Sequence, residues 1–323
     1  MKKTQAKNEK HFKSLNIPKP PEPTQREEKL PCELPKSTKD DPQAAKRLEE
    51  IMKSPSYISA DNDYDFLRDD SVRGVRLQID YLKTELLLQK YGIEKTVAVF
   101  GGTRIVEKAE AERHLEKARN AYEKDPTSKI LAQKLKIAQS VLQKSEYYNI
   151  AREFGRLVGN SGEGPCDCRL TLMTGGGPGA MEAANRGAFD VGAKSIGLNI
   201  SLPKEQYPNP YITPELCFQF HYFSMRKVHF FKRSIALVAF PGGYGTMDEL
   251  VEALTLVQTR KILPFPIILV GKEFWKNVIN FDFLLNEGVI DFEDTELFWY
   301  AESAQEIWNG ILEWHVENGT PLH

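Results

Sequence analysis

The sequence predicts an α/β protein with a Rossmann-like, doubly wound parallel sheet, an inserted helical hairpin and a mobile N-terminal arm. Short β-rich apolar runs alternate with helical patterns between residues 96 and 270, as strands and helices do in βαβ units. Glycine-rich loops follow three of these runs, at the ends of strands where such sheets bind ligands. With 323 residues, 41% of them hydrophobic, the chain can bury a full core.

Charge and hydropathy exclude several classes of function. A formal net charge of -2 provides no basic field that would attract nucleic acid. The longest apolar runs, such as residues 262–270, are much shorter than the about 20 residues that span a bilayer. No apolar segment follows the Lys-rich start, so a secretory signal is not expected. We expect a cytoplasmic protein with neither nucleic-acid nor membrane partners.

Four cysteines in a chain of this length do not indicate a disulfide framework. One residue separates Cys166 from Cys168, whereas redox and zinc motifs have two. No second Cys or His pair with metal-ligand spacing accompanies them. We therefore expect reduced thiols and no metal site.

The first 70 residues differ in composition from the rest of the chain. No glycine precedes Gly74, and the first 45 residues combine many prolines and charges with few large apolar residues. Such a segment cannot bury enough surface to offset the entropy lost on ordering. We predict a mostly disordered or extended arm over residues 1–70 and a single Rossmann-like nucleotide-binding domain over residues 71–323.

This domain is predicted to begin with an amphipathic helix, because Val75, Ile79, Leu82 and Leu86 lie at helical spacing. Apolar runs then predict strands at residues 96–100, 170–173, 195–199, 235–240 and 267–270, the last of which closes the sheet. Apolar residues at helical spacing predict helices at residues 180–191 and 247–261.

Residues 106–146 are predicted to form an inserted αα-hairpin. The segment is charged and free of glycine, and it carries two narrow, Ala-rich stripes at helical spacing on either side of Pro126. We expect these stripes to pack against each other or against a second subunit.

Three glycine loops follow three of the predicted strands. Glycine allows the backbone to approach a ligand closely, and a helix that begins directly afterwards favours an anion at its N-terminus. None of the loops is a Walker A motif or a G-x-G-x-x-G fingerprint, so a mononucleotide fits better than ATP or NAD. The alternative is that they are only tight strand-to-helix turns. The loops are residues 101–104, 175–179 and 241–246.

Thr246 and Glu249 have the spacing of a capping box, in which both side chains would only satisfy helix N–H groups. Their place at the end of a glycine loop supports a second interpretation. The helix dipole there favours an ionised carboxylate, which could orient a water or stabilise developing positive charge. Spacing alone leaves both interpretations open.

Arg226 and Lys227 lie on a predicted helix that begins near Tyr222, after the aromatic run of residues 218–223. The pair could be a solvated basic pair, and the aromatic side chains could lie in the core or stack on a base. His221 and His229 have no partner at metal spacing, so we predict core or surface histidines.

Together these residues resemble a known family. Residues 240–249 are similar to the P-G-G-x-G-T-x-x-E signature of the LONELY GUY (LOG) family, and Arg226 with Lys227 resembles its upstream Arg-Lys pair. Residues 175–182 resemble the G-G-G-x-G-x-M-E loop of the larger bacterial members. The family comprises cytokinin riboside 5'-monophosphate phosphoribohydrolases and bacterial nucleotide 5'-monophosphate nucleosidases. Such proteins are often labelled lysine decarboxylases, but this sequence has no Ser-x-His-Lys-type pyridoxal site.

The resemblance implies a hydrolase that cleaves the N-glycosidic bond of an AMP-like or cytokinin nucleoside 5'-monophosphate. The products would be free base and ribose 5-phosphate, and no cofactor would be needed. Glu249 would be catalytic, binding the ribose hydroxyls and stabilising an oxocarbenium-like state, with Arg226 assisting. A homodimer or higher homo-oligomer is also implied. The implied substrate contacts are Gly101, Gly102, Thr103, Arg104, Gly175, Gly176, Gly177, Met181, Met225, Lys227, Gly242, Gly243, Gly245 and Thr246.

The main alternative is a non-catalytic nucleotide-binding or sensing protein on the same fold, because fold does not determine function. The helical hairpin and the N-terminal arm are absent from compact plant-type members, which leaves base preference and assembly open.

Overall fold

A computed structural model describes residue 26 and residues 28–203 and 207–322. Contacts divide the chain into two units, Met1–Asp70 and Ser71–His323. In the first unit the described residues include two helices, α1 (Ala44–Met52) and α2 (Tyr64–Arg68). Much of the predicted arm, residues 1–25 and 27, lies outside the described residues. The predicted division into arm and domain stays a prediction.

The described residues of the second unit form one sheet of seven strands, all pairs of which are parallel. Spatial order along the sheet is β4-β3-β2-β1-β5-β6-β7. The strands are β1 (Lys95–Phe100), β2 (Leu170–Thr174), β3 (Ser195–Ile200), β4 (Cys217–Phe220), β5 (Ser234–Ala239), β6 (Ile267–Val270) and β7 (Trp299–Ala301).

Strand order reverses between β1 and β5. After β1 the chain builds the sheet outward through β2, β3 and β4, and it then returns to place β5 on the other side of β1. In doubly wound sheets, ligands bind in the crevice that such a reversal opens beyond the carboxyl ends of the strands. Residues 101–104 and 241–246 follow β1 and β5, so two of the three glycine loops lie at this crevice.

Helices cover both faces of the sheet and bury two hydrophobic clusters. The helices described in this unit are α3 (Arg73–Lys90), α4 (Lys108–Lys124), α5 (Lys129–Gln143), α6 (Glu146–Gly159), α7 (Ala180–Asp190), α8 (Phe223–Lys232), α9 (Tyr244–Gln258), α10 (Lys272–Val278), α11 (Phe281–Asn286) and α12 (Ala304–Glu317). The first cluster packs α3, α8, α9 and α10 against one face, and the second packs α6, α7 and α12 against the other. The fold class predicted from the sequence is confirmed.

Two strands were missed. β7 follows β6, so the prediction that residues 267–270 close the sheet is wrong. β7 has only three residues, too few for a periodic pattern to be visible. The aromatic run of residues 218–223 begins inside β4, where Phe218 and Phe220 are core side chains.

The inserted hairpin is present as α4 and α5, which pack against each other. By contrast, the apolar stripe that predicted α3 faces outward. Val75, Ile79, Leu82 and Leu86 are 38–59% exposed, while the opposite side of the helix buries Leu88 in the core. The spacing correctly predicted a helix but not the side that the core covers.

Helices α6 and α7 approach each other unusually closely because small residues line their contact. A Cβ at Gly155 would lie 2.1 Å from the carbonyl oxygen of Ala184, and a Cβ at Gly187 would lie 1.9 Å from that of Arg152. Two backbones at this separation leave no room for a methyl group. This contact fixes α7, and with it the glycine loop that precedes α7.

Replacement of Gly155 by alanine should therefore lower the free energy of unfolding by about 1–3 kcal/mol, because the helices must separate. Gly74→Ala is the matched control, since it lies in α3 with no atom within 4 Å of the added Cβ. We expect the stability of that variant to be unchanged or higher. Urea unfolding measures both, and equal stabilities for the two variants would contradict the close approach.

Candidate active site

The three glycine loops contact one another at the reversal point. The Gly102 N–H donates to the carbonyl oxygen of Pro241 at 2.9 Å, and the Gly102 carbonyl accepts from the Ala180 N–H at 3.3 Å. The loop after β1 therefore lies between the loops after β2 and β5. These contacts bring the three predicted loops together at one place.

Close backbone contact requires glycine at two of these positions. Gly179 has a φ of 82°, and a Cβ there would lie 2.2 Å from the Gly102 carbonyl oxygen. A Cβ at Gly101 would lie 2.5 Å from that of Ala180. These glycines serve loop packing, and this role does not require a ligand.

Polar side chains that the sequence analysis missed form hydrogen bonds with the backbone of the loop of residues 175–179. Asn209 donates from its side-chain amide to the Gly177 carbonyl at 3.1 Å, and its backbone N–H donates to the Gly176 carbonyl at 2.9 Å. The Thr174 hydroxyl accepts from the Gly176 N–H at 2.9 Å. An asparagine between two prolines, Pro208 and Pro210, was the available signal.

The loop after β5 leads directly into α9, with Gly243 as the N-cap residue. A Cβ at Gly242 would collide with Thr246, whereas added Cβ atoms at Gly243 and Gly245 would meet no atom within 4 Å. The first N–H groups of a helix have no partner within the helix. The start of α9 therefore presents free N–H groups and the positive end of its dipole toward open space.

Because α9 begins at Tyr244 rather than at 247, Thr246 and Glu249 both lie inside the helix. The N-cap residue, Gly243, has no side chain that could cap the helix, and neither oxygen of Glu249 has a hydrogen-bond partner among the described residues. A capping box therefore does not account for this pair. Glu249 is buried, with only 3% of its side chain exposed, so its carboxylate needs another explanation.

Two cations of α8 approach this carboxylate. Nη2 of Arg226 lies 3.6 Å from Oε1 of Glu249, and Nζ of Lys227 lies 3.8 Å from Oε2. Both distances are ion-pair distances but exceed those of hydrogen bonds. Nε of Arg226 is also buried, and no described residue forms a hydrogen bond with it.

Two further carboxylates hold Lys227. Asp248 lies 2.9 Å from its Nζ, and Glu252 accepts a hydrogen bond from it. Asp248, Glu249 and Glu252 lie on α9, while Arg226 and Lys227 lie on α8; we call these five residues the acid–base cluster. Sequence reasoning missed Asp248 and Glu252, although both fall within three residues of Glu249.

Burial raises the pKa of Glu249 from 4.5 to about 7, and Glu252 and Asp248 act in the same direction. Lys227 and Arg226 oppose this rise because they favour the ionised form. A carboxyl group with a pKa near neutrality exchanges its proton easily in the range where enzymes work. The cluster can thus hold Glu249 in either protonation state.

Arg226 and Lys227 are not a solvated basic pair, because only 14% and 19% of their side chains are exposed. The guanidinium of Arg226 lies over the ring of Phe223 at 4.8 Å. Of the two histidines, His221 is exposed and His229 is buried in the core, where burial lowers its pKa.

The other residues implied by the resemblance fall around the same loops. Thr103 and Arg104 are exposed on the loop after β1, and the sulfur of Met181 lies next to Gly175. Met225 packs against the core cluster on the α8 side. Their roles toward a substrate stay predictions.

The fold and these loops define a Rossmann-like α/β protein with a buried acid beyond the strand reversal. A family model described as "possible lysine decarboxylase" matches residues 181–311. The chain is 29% identical over 179 residues to the cytokinin riboside 5'-monophosphate phosphoribohydrolase LOG3 of Arabidopsis thaliana, an alignment that covers 53% of this chain and 77% of that protein. It is 32% identical over 144 residues to LOG1 of the same plant, covering 43% and 65% respectively. These similarities confirm the resemblance to the LONELY GUY family that the sequence motifs indicate.

Among solved structures, the Moco carrier protein of Chlamydomonas reinhardtii is similar at a TM-score of 0.42 and 18% identity. The match covers 69% of this chain and 99% of that one. No helix among the described residues is long and apolar enough to cross a membrane.

The raised pKa of Glu249 predicts how stability depends on pH. A carboxyl group whose pKa is higher in the folded state binds its proton more tightly there than in the unfolded state. The free energy of unfolding therefore falls as the pH rises from the pKa of the unfolded state, 4.5, to the pKa of the folded state, about 7. In Glu249→Gln this contribution is absent. The stability of that variant relative to the parent should rise by about 1–3 kcal/mol between about pH 5 and about pH 8.

Urea unfolding at both pH values measures this difference. Glu273→Gln, at an exposed glutamate on α10, is the control for the loss of one carboxylate, with which the change in Glu249→Gln is compared. A constant difference between Glu249→Gln and the parent would mean that Glu249 is ionised normally.

Proposed function

We propose that this protein hydrolyses the N-glycosidic bond of a nucleoside 5'-monophosphate to free base and ribose 5-phosphate. One observation carries the proposal: in the part of the chain that the structure describes, both oxygens of the buried Glu249 carboxylate lack hydrogen-bond partners. An unpartnered buried carboxylate is costly, and hydroxyl donors of a ligand relieve that cost. The two vicinal hydroxyls of a ribose supply two such donors.

We assign the phosphate to the N-terminus of the same helix, six residues before Glu249. The N-terminus of α9 and the open backbone at Gly243 and Gly245 favour an anion, and Thr246 adds a hydroxyl donor. Thr103 and Arg104 lie on the adjoining loop and would complete the phosphate contacts. The relatives named as phosphoribohydrolases act on a 5'-monophosphate, which fits a site with one anion position.

Bond cleavage follows from the acid–base cluster. As the C1'–N bond breaks, its electron pair passes to the base and positive charge develops on the ribose ring. Ionised Glu249 would stabilise this charge and orient the attacking water. The water oxygen then bonds to C1', and the proton it releases balances the base anion. Arg226, whose Nε has no partner, would stabilise the departing base.

Incubation with AMP, GMP, CMP and UMP, with free base measured, tests the proposal. Glu249→Gln should lower the rate of base release by at least about 100-fold, while nucleotide binding is retained. Glu273→Gln is again the control and should keep the parent rate. Nucleotide binding without base release in the parent would instead favour a non-catalytic nucleotide sensor.

We also infer that the protein is a cytoplasmic homodimer whose interface is the outer face of α3, α8 and α9. Four apolar residues of α3 are exposed in one stripe, and Phe223, Val228 and Val251 are exposed on the neighbouring helices. These helices contact one another, α3 with α8 and α8 with α9, and monomeric proteins rarely expose a large apolar patch. A second copy of the chain presents the same face, which satisfies the self-complementarity of a two-fold interface.

Ile79→Glu, which places a charge within this stripe, should convert the dimer into a monomer in sedimentation velocity. Ile130→Glu is the matched control, because Ile130 is 69% exposed on the hairpin helix α5. A dimer that survives Ile79→Glu but not Ile130→Glu would assign the interface to the hairpin.

A further inference from the structure

Helix α8, which carries both cations of the acid–base cluster, is held along one side by α3. Contacts between the two helices occur at the beginning, the middle and the end of α8. The paired residues are Asp80 with His221 and Tyr222, Arg76 with Tyr222, Tyr81 with His229, and Glu85 with Lys232 and Arg233.

Asp80 holds the beginning of α8. Its Oδ2 accepts from the Tyr222 N–H at 2.9 Å and from the His221 N–H at 3.1 Å, and Oδ1 lies 3.2 Å from the same His221 nitrogen. Tyr222 is the N-cap residue of α8, and its own side chain makes no capping bond. A carboxylate from another helix therefore accepts from the N-cap N–H, as the N3 side chain of a capping box does, at the end of the helix where the dipole favours negative charge.

A single residue, Tyr222, connects this contact to the cluster. The Tyr222 N–H donates to Asp80, and the Tyr222 carbonyl accepts from the Arg226 N–H at 3.3 Å. The helical turn that ends at Arg226 therefore begins at Tyr222, the residue whose N–H is bound by Asp80. Lys227 follows directly, so both cations take their position from the same first turn.

The other end of α8 is held differently. Glu85 accepts two hydrogen bonds from Arg233, both at 2.8 Å, and pairs with Lys232 at 2.9 Å. The hydrogen bonds from Arg233 hold the pKa of Glu85 at about 2 despite its burial. This pairing lies one to two turns beyond Arg226, at the end of α8 remote from Tyr222. It stabilises the helix without setting its first turn.

We propose that Asp80 is a positioning residue for the reaction, which fixes the first turn of α8 so that Arg226 and Lys227 face Glu249. This inference rests on the proposed function for its kinetic consequence. The distances of 3.6 and 3.8 Å in the acid–base cluster leave little tolerance, since a displacement of about 1 Å of reacting groups can cost about 100-fold in rate.

The charges of four described residues act on Glu249 and enter the expected pH effect. Arg226 and Lys227 approach it from α8, and Asp248 and Glu252 lie on its own helix. If α8 shifts, the attraction of the two cations weakens while burial and the two carboxylates persist. The pKa of Glu249 then rises further, and the acidic limb of the pH–rate profile moves to higher pH.

Asp80→Ala, which removes both acceptor oxygens, is compared with Asp80→Asn, which keeps one. We expect Asp80→Ala to lower kcat about 10-fold, with a smaller change in KM and an acidic limb of kcat/KM at higher pH. Asp80→Asn should recover part of kcat. Glu85→Gln is the control at the other end of α8, and it should lower Tm while kcat stays within about twofold of the parent.

A kcat and an acidic limb equal to those of the parent in Asp80→Ala would overturn the proposal, whatever its Tm. If Asp80→Ala does not fold, the same criteria apply to Asp80→Asn. Titration of Glu249 by ¹³C NMR, with Glu249→Gln to assign its signal, needs no turnover. If the parent releases no base, the proposed function fails, and the titration alone decides: an unchanged midpoint in the Asp80 variants overturns the positioning role.

Discussion

A buried carboxylate without a hydrogen-bond partner is the constraint around which this protein is arranged. Burial of Glu249 costs free energy that its own helix increases, because Asp248 and Glu252 carry the same charge. Arg226 and Lys227 offset part of that cost, but only while α8 lies close to α9. The stabilisation of the Glu249 charge therefore depends on the packing of α3 on α8 and on the placement of α9 after β5.

The loops obey a different constraint, which is steric. Their glycines allow three backbones to meet at the strand reversal, and contacts through Gly102 join the first loop to the other two. Polar support comes from Asn209 and Thr174, which bond to the backbone of the loop after β2. An open, polar backbone surface is thus held rigid before any ligand arrives, which reduces the entropy that binding must overcome.

The parts of this arrangement that follow local patterns could be predicted from the sequence. Five strands were visible because central parallel strands are buried on both faces and appear as continuous apolar runs. The short strands β4 and β7 gave no such run. Glu249 and the pair Arg226–Lys227 were identifiable because each belongs to a motif. The exposure of the α3 stripe could not be predicted, since spacing defines a helix but not which side the sheet covers. The contact between Asp80 and Tyr222 joins residues 142 positions apart, beyond the reach of any local pattern.

Helix α9 carries both Gly243, at its N-terminus, and Glu249 in its second turn. Six residues of helix separate them by about 9 Å, a length fixed by backbone hydrogen bonds and independent of side chains. The helix therefore acts as a rigid spacer, and insertion or deletion of one residue within it would turn Glu249 by about 100° out of the acid–base cluster. Tyr244, which is 93% exposed, lies inside this spacer and contributes to its length more than to its contacts. Insertions and deletions between Gly243 and Glu249 should therefore be tolerated less than substitutions there.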